Sequence, residues 1–518
     1  MKEFNYTGTC IPSMHYMVDI RNKIDQVFGM VTKGKYFTIN RPRQYGKTTL
    51  LYLLEQKLLT TDDFLPIKIS FEGFSTVVFD SEAVFCKHFL LSLGDDKNSK
   101  LYGYKELFDS EIGNADSLKS LSRSLTNILS KIDKKVVLMI DEVDKASNFD
   151  VLIHFLGILR EKYLNSREDR DITFYSVILA GLHDVKTLKM RIRPESETKY
   201  NSPWNIAVEF EVDMSFNPDE IETMLIQYVN ETGINLDTTE ISDKLYFWTN
   251  GYPFLVSRLC KLVDEKIRVN NSWEASDIDK AAVMLLREKT TLFDSIVKNL
   301  ENNDELFNYI QDIILGKEEK RFDINAQLVN LAFSYGLIER KNGIGVKIHN
   351  RIIEEMLTSY MIVKNNTEAT GLKISNTQEP YIKPDGRLDF KKVMIKFQEA
   401  IKEKYSKQIK TEEFLENELR MLFLMFLEPI INGVGFSFKE VQTGAEKRLD
   451  IIIVFKDEKF IVELKLWKGI EYHEKGKKQL LEYMSLENID KGYMLIANKT
   501  QKKVFKQEEE DGIFMVWV

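Results

Sequence analysis

KYFTINRPRQYGKTTLL, residues 35–51, is the stretch from which the fold is read. An apolar run (Tyr36, Phe37, Ile39) leads into a turn ending in Gly46-Lys47-Thr48, and leucines at helical spacing follow. Strand, glycine-lysine-threonine turn, helix is the order of a phosphate-binding loop. In such a loop the backbone N–H groups of a helix N-terminus face the anion, the lysine reaches the outer phosphates and the hydroxyl takes Mg2+. Arg43, Gln44, Tyr45, Gly46, Lys47, Thr48 and Thr49 are therefore the candidate nucleotide-binding residues. The full pattern has a glycine five residues before Gly46; this chain has Arg41 there, so the loop backbone need not follow the usual path. Gly-Lys-Thr alone is equally well explained as a surface turn, and its context has to decide.

The context is KKVVLMIDEVDKA, residues 134–146. Five consecutive apolar residues, Val136 to Ile140, read as a strand buried on both faces, the pattern of a parallel sheet, and they end in Asp141-Glu142. In a nucleotide hydrolase this strand is expected beside the loop strand, with Asp141 in the Mg2+ shell and Glu142 polarising the attacking water. A helix cap with a solvated neighbour would explain the acids alone, but not their order after the loop. LPIKISFEGF (Leu65 to Phe74) alternates like a strand, and DITFYSVILAGLHD (Asp171 to Asp184) is another buried-strand run. His183 at its end is a candidate for sensing the terminal phosphate. Arg191 and Arg193 could act as arginine fingers, although exposed loop arginines are usually just solvated.

Size and composition set the frame. A chain of 518 residues suggests about three domains, and 43% hydrophobic residues are ample for their cores. The net charge of -8 advertises no global basic field, so binding to nucleic acid has to rest on local patches. MKEFNYTGTC does not resemble a secretory leader, and no apolar run reaches the roughly 18 residues needed to span a bilayer. A cytoplasmic protein with no membrane partner is expected. Cys10, Cys86 and Cys260 fit a reducing compartment, and neither they nor the six histidines have metal-ligand spacing.

Asn217 as cap, Pro218 in the first turn and Glu220 three residues after the cap start a helix, NPDEIETMLIQYV. Gly251 and Pro253 in FWTNGYPFLVSRLC punctuate two more. FSYGLIERKNGIGVKIHNRIIEEML reads as helix end, two short strands around Asn342-Gly343, then helix, which is a winged-helix pattern. Residues 363–387 are polar and lack apolar periodicity, so a linker is expected. The boundaries are then 1–212 for the nucleotide-binding domain, 213–284 for a helical lid, 285–362 for the winged helix and 388–518 for a smaller α/β domain.

A second constellation lies in KRLDIIIVFKDEKFIVELKLWKG, two strands joined by the turn Lys456 to Lys459. Asp450 opens the first strand. Glu463 and Lys465, two apart on the second, share a face that Leu464 does not. Asp450 and Glu463 are hard oxygen ligands suited to Mg2+, and Lys465 can orient water or stabilise a pentacovalent phosphorane. On the preceding helix, TEEFLENELRMLFLMFL, the helical neighbours of Glu418 are apolar, whereas Glu416 has Glu412, Glu413 and Arg420 around it. Glu418 is therefore expected to face inward, where a carboxylate needs a metal or a base. Gln479 follows on a later helix, just after Lys475, Lys477 and Lys478, a basic edge able to meet phosphates.

HYMVD, NRPRQYGKTT, IDEVD, SPWNIA, FNPDEI and NGYPFLV together resemble the bacterial AAA-ATPase-like family, close to the STAND signalling ATPases. In that family an arginine at the first loop position is usual. ENELR, RLD, ELK and QLLEYM resemble the PD-(D/E)XK nuclease superfamily, with Leu449-Asp450 standing where the name has proline-aspartate. The resemblance implies Asp450, Glu463 and Lys465 as nuclease core, Glu418 as an added metal ligand and Gln479 near the substrate. It also implies Lys47, Thr48, Asp141 and Glu142 at ATP and Mg2+. The expected function is an ATP-regulated, Mg2+-dependent DNA endonuclease, with RNA as a second substrate class, homo-oligomers as an open possibility and a role against foreign DNA by analogy. The alternative is a nucleotide-gated signalling or nucleic-acid-binding scaffold that does not cut.

Overall fold

The structure, a computed structural model, describes residues 2–95, 101–146, 149–181, 204, 206–268, 271–315, 320–341, 343–368, 381–402, 416–431, 435–443, 447–456, 458–467, 469–486, 489–498 and 505–518. His183, Arg191 and Arg193 lie outside them, as do residues 369–380 of the expected linker, whose first residues, 363–368, continue the helix Arg351–Glu368. The chain forms two compact units, 1–285 with 330–337, and 286–329 with 338–518.

The first unit is built on a parallel sheet of β1 (Tyr36–Asn40), β2 (Phe64–Ser70), β3 (Lys135–Asp141) and β4 (Ser176–Gly181), in the order β1-β4-β3-β2. Every residue of β4, and β3 from Val136 to Asp141, is buried, as the unbroken apolar runs require of strands covered on both faces. The expectation that β3 lies beside the loop strand is corrected: β4 stands between them. Two strand spacings, about 9.6 Å, thus separate β1 from β3, and a side chain from the loop helix has to bridge the gap. Phe71, Phe79, Phe85, Phe89, Phe108 and Phe155 form one hydrophobic core with residues of the sheet.

Past the sheet the chain is helical. The helix Pro218–Thr232 begins with the capping box read in the sequence: Asn217 accepts from Glu220 N, Glu220 accepts from Asn217 N, and Pro218 fills the first turn. Gly251 packs against the backbone just before this helix. Its φ is +73°, and a β-carbon there would stand 1.9 Å from Phe216 O and 2.7 Å from Phe216 N, the latter held in place because it donates to Gly251 O at 2.9 Å. Gly251→Ala is therefore expected to destabilise the first unit by ~3 kcal/mol, from left-handed strain and clash together. Thermal unfolding of the full chain measures it, and an unchanged first-unit transition would count against this packing.

The second unit contains an antiparallel pair, β5 (Ile338–Lys341) and β6 (Gly345–Ile348), followed by the helix Arg351–Glu368. It also holds a six-stranded mixed sheet of β7 (Gly435–Thr443), β8 (Lys447–Phe455), β9 (Glu458–Leu466), β10 (Gly492–Ala497), β11 (Gln507–Glu510) and β12 (Ile513–Trp517). The order is β11-β12-β10-β9-β8-β7: an antiparallel meander β7-β8-β9 continued by parallel β10 and β12. The helices Glu416–Ile431 and Ile470–Leu486 pack on β9. Among the described residues no helix is long and apolar enough to cross a membrane.

Candidate functional site

In the first unit, Gly46 (φ +80°) turns the chain into the loop helix Lys47–Leu59 in a left-handed conformation that glycine adopts without strain. Lys47 is buried, and its ammonium donates to Arg41 O (2.9 Å) and Pro42 O (2.8 Å). Burial lowers the Lys47 ammonium from its ordinary range, against the pull of Asp144, Glu142 and Asp141. Thr48 supplies the bridge between strands: its Oγ1 donates to Asp141 Oδ2 at 2.7 Å. Asp141 Oδ1 accepts from the N–H of Glu142, which has φ +54°. Burial pushes the Glu142 carboxyl up, opposed by Lys47 and reinforced by Asp141. A lysine, a hydroxyl and two adjacent acids thus meet at the carboxyl ends of β1 and β3.

The loop is held from several sides. Arg41, which takes the place of a glycine, braces the loop structurally. Its guanidinium donates to Val212 O at 2.8 Å and lies 5.3 Å over the Phe210 ring, while its backbone N–H bonds Gly181 O. Tyr45 Oη pairs with Ser215 Oγ at 2.7 Å, and Tyr252 Oη donates to Arg43 O, the two tyrosine rings meeting edge to face. Thr49 Oγ1 accepts from Cys10 N. Gly336 rests directly on the loop: a β-carbon on it would stand 2.8 Å from Pro42 Cγ. Gln44 joins these residues in the loop with φ +56°.

Asp144 is a site residue that the sequence reading does not single out. It heads the charges acting on Lys47, and its carboxylate lies so close to the end of β4 that a β-carbon at Gly181 would be 2.9 Å from Asp144 Oδ1. The signal for it is the second aspartate of Asp141-Glu142-Val143-Asp144.

The other constellation lies wholly in the second unit. The β8–β9 ladder runs from Phe455 opposite Glu458 to Ile451 opposite Val462. One residue beyond it, Asp450 Oδ2 accepts from Leu464 N at 2.8 Å, so the side chain takes over where strand pairing stops. Lys465 is central: its Nζ is 2.8 Å from Glu463 Oε1, 3.7 Å from Asp450 Oδ2 and 3.9 Å from Glu416 Oε1. Burial alone would lower the Lys465 ammonium, but Glu463, Asp450 and Glu416 together push it well above its ordinary range. Burial pushes the Glu463 carboxyl upward, and Asp450 adds to this against Lys465. Arg420 Nη2 donates to Asp450 Oδ1 at 2.9 Å.

The helix acid that the structure brings to this cluster is Glu416, where the sequence pattern singles out Glu418. Residues two apart on a helix point about 200° apart, so both cannot face the same cluster, whereas Glu416 and Arg420, four apart, do. The polar stripe of an otherwise apolar helix reads as its solvent face; here it looks onto β8 and β9. Phe414 and Leu415, two of the apolar neighbours that favour Glu418, lie outside the described residues. Gln479 is half-buried on the helix Ile470–Leu486. The basic edge before it is reduced, because Lys477 is buried and paired with Glu510 (2.7 Å) and Asp511 (3.0 Å), leaving Lys475 and Lys478 exposed.

Asp450, Glu463 and Glu416 suit a hard divalent cation in their chemistry. Glu463 Oε2 in particular is buried with no hydrogen-bond partner, an acceptor that a cation would satisfy. Among the described residues no three His, Cys, Asp or Glu side chains yet form a cage, because the acids are arranged around Lys465.

Comparison with known proteins divides the chain elsewhere, the first match running past residue 285 into the second unit. Residues 12–353 match the family described as AAA-like domain. The chain belongs to the AAA-like domain family. Residues 412–507 of this AAA-like protein match the PD-(D/E)XK nuclease superfamily, a span that takes in β7 to β10 and the helices Glu416–Ile431 and Ile470–Leu486 and marks a nuclease-type domain. Over 214 residues the chain is 28% identical to an uncharacterized WD repeat-containing protein of Synechocystis sp., covering 40% of this chain and 16% of that protein. Among solved structures it is similar to the Walker-type ATPase PABY2304 of Pyrococcus abyssi, at 12% identity and a TM-score of 0.49, over 68% of this chain and 99% of that one. It is also similar to the ORC2 protein of Aeropyrum pernix, at 11% identity and a TM-score of 0.37, over 69% of this chain and 98% of that one.

Proposed function

We propose that the AAA-like protein is an ATP-regulated, Mg2+-dependent DNA endonuclease, with the first unit as switch or motor and the C-terminal domain as effector. The observation that carries this reading is Lys465, buried and ringed by Glu463, Asp450 and Glu416 within a nuclease-type domain. Mg2+ would be held by Asp450, Glu463 and Glu416 and would supply Lewis acidity at the scissile phosphate. Lys465 orients the attacking water and stabilises the phosphorane charge, Arg420 holds Asp450 in place, and Gln479 lines the substrate side. In the first unit Lys47 and Thr48 bind the nucleotide phosphates and Mg2+, Asp141 completes the metal shell and Glu142 polarises water. The role is that of a STAND-like switch, acting on foreign DNA in the cytoplasm, a setting that suits the free thiols of Cys10, Cys86 and Cys260.

Divalent-dependent cleavage of single- and double-stranded DNA and RNA, with ATP, ADP or neither, tests the proposal. DNA cutting that requires Mg2+ or Mn2+ and changes with nucleotide supports it; no cutting of any substrate, or RNA cutting alone, overturns it. One observation favours a second reading, a nucleotide-gated scaffold that holds nucleic acid without cutting it: Arg420 and Lys465 already neutralise the acids a metal would need. Assembly and nucleic-acid binding that follow ATP, with no cleavage, are the outcome that reading expects.

A further inference from the structure

The helix Ile470–Leu486 carries a glycine in its interior, where no residue but proline is less favourable. Gly476 is buried, and its backbone is not in the left-handed region that would call for glycine. The reason lies across the interface with β9. A β-carbon at 476 would stand 3.1 Å from Lys465 Cε, 3.3 Å from Cγ and 3.5 Å from Cδ. All three contacts are with one side chain. Gly492, on β10, differs, since a β-carbon there would meet Met484 and Leu480, ordinary core groups.

We propose that Gly476 is a positioning residue for Lys465. Its missing side chain leaves the track along which the lysine stem runs, placing Nζ 2.8 Å from Glu463 Oε1. Were a methyl group added, the softest neighbour would yield, and that is the flexible lysine stem, not the strand backbone. The substitution is thus tolerable for folding and damaging for chemistry, because a displacement of the stem is carried to Nζ, whose geometry the reaction needs. The catalytic consequence rests on the nuclease reading; the contact between Gly476 and Lys465 does not.

Two measurements on the full chain separate these layers. In Mg2+-dependent cleavage, Gly476→Ala is expected to lower kcat at least tenfold, and Gly476→Leu more, with KM for DNA unchanged. A wild-type kcat for Gly476→Ala overturns the proposal, as does a rise in KM alone, which would mean that the glycine admits substrate instead. The second measurement is the unfolding midpoint of the C-terminal domain, by pulse proteolysis, for Gly476→Ala with Lys465 and with Lys465→Ala. Alanine should raise the midpoint only when Lys465 is truncated, where helix propensity acts without the clash. Equal shifts in both backgrounds overturn the proposal. Failure of the wild type to cut, or undiminished cutting by Lys465→Ala, refutes the nuclease reading, and the midpoints still decide the contact.

Discussion

Lys465→Ala is expected to cut DNA roughly 10^2- to 10^3-fold more slowly than the wild type, the scale of losing a preorganised charge at a developing anion. Lys465 reaches Glu463, Asp450 and Glu416 together, so its removal alters the charge balance of the whole cluster. Glu463, 2% exposed, would then sit beside Asp450 without its cation. Breaking a buried pair in this way costs on the order of 3 kcal/mol, so a lower melting point of the C-terminal domain should accompany the lost activity. Lys465→Met keeps the stem and drops only the charge; it should be equally inactive while packing better than alanine. ATP binding in the first unit should be unchanged. Retained cutting by either variant would remove Lys465 from the chemistry.

Lys47→Ala should weaken nucleotide binding by roughly 100-fold, since two charge-assisted hydrogen bonds to phosphate contribute about 1.5 kcal/mol each. In the structure that ammonium is engaged by Arg41 O and Pro42 O, so nucleotide has to draw it away from its own loop. The variant therefore also loses two ties inside the loop. Cleavage should lose its response to ATP, while the Mn2+ concentration needed for cutting stays at the wild-type value. A variant that binds ATP normally, or whose metal requirement shifts, would refute the assignment of Lys47 as control point.

Much of this arrangement is legible in the residues. β3 and β4 announce themselves as unbroken apolar runs and β2 as an alternating one, and the cap at Asn217 follows from local hydrogen-bonding chemistry that needs no tertiary context. Glu463 and Lys465 share a face because strand periodicity is strict. What escapes a sequence reading is set by partners remote in the chain. Nothing local says that β4 enters between β1 and β3, and the bracing by Arg41 depends on Phe210 and Val212. Helical neighbours distinguish an apolar face from a polar one, but not a polar face in water from one against Asp450; hence the pattern favours Glu418 over Glu416. Lys477 reads as part of a basic edge until Glu510 and Asp511 close on it.

The turn at Gly336, resting on Pro42, has a consequence for the order of synthesis. Residues 330–337 belong to the first unit although 286–329 do not. Ala332 and Leu337 are fully buried. On the ribosome, the sheet and the helices through 285 can form early, yet the phosphate-binding loop gains its last support only when residue 337 has emerged. A polypeptide ending at 285 would carry every side chain proposed above to bind nucleotide and still lack the strap over Pro42. A loop that is translated early is thus among the last parts of the first unit to be finished.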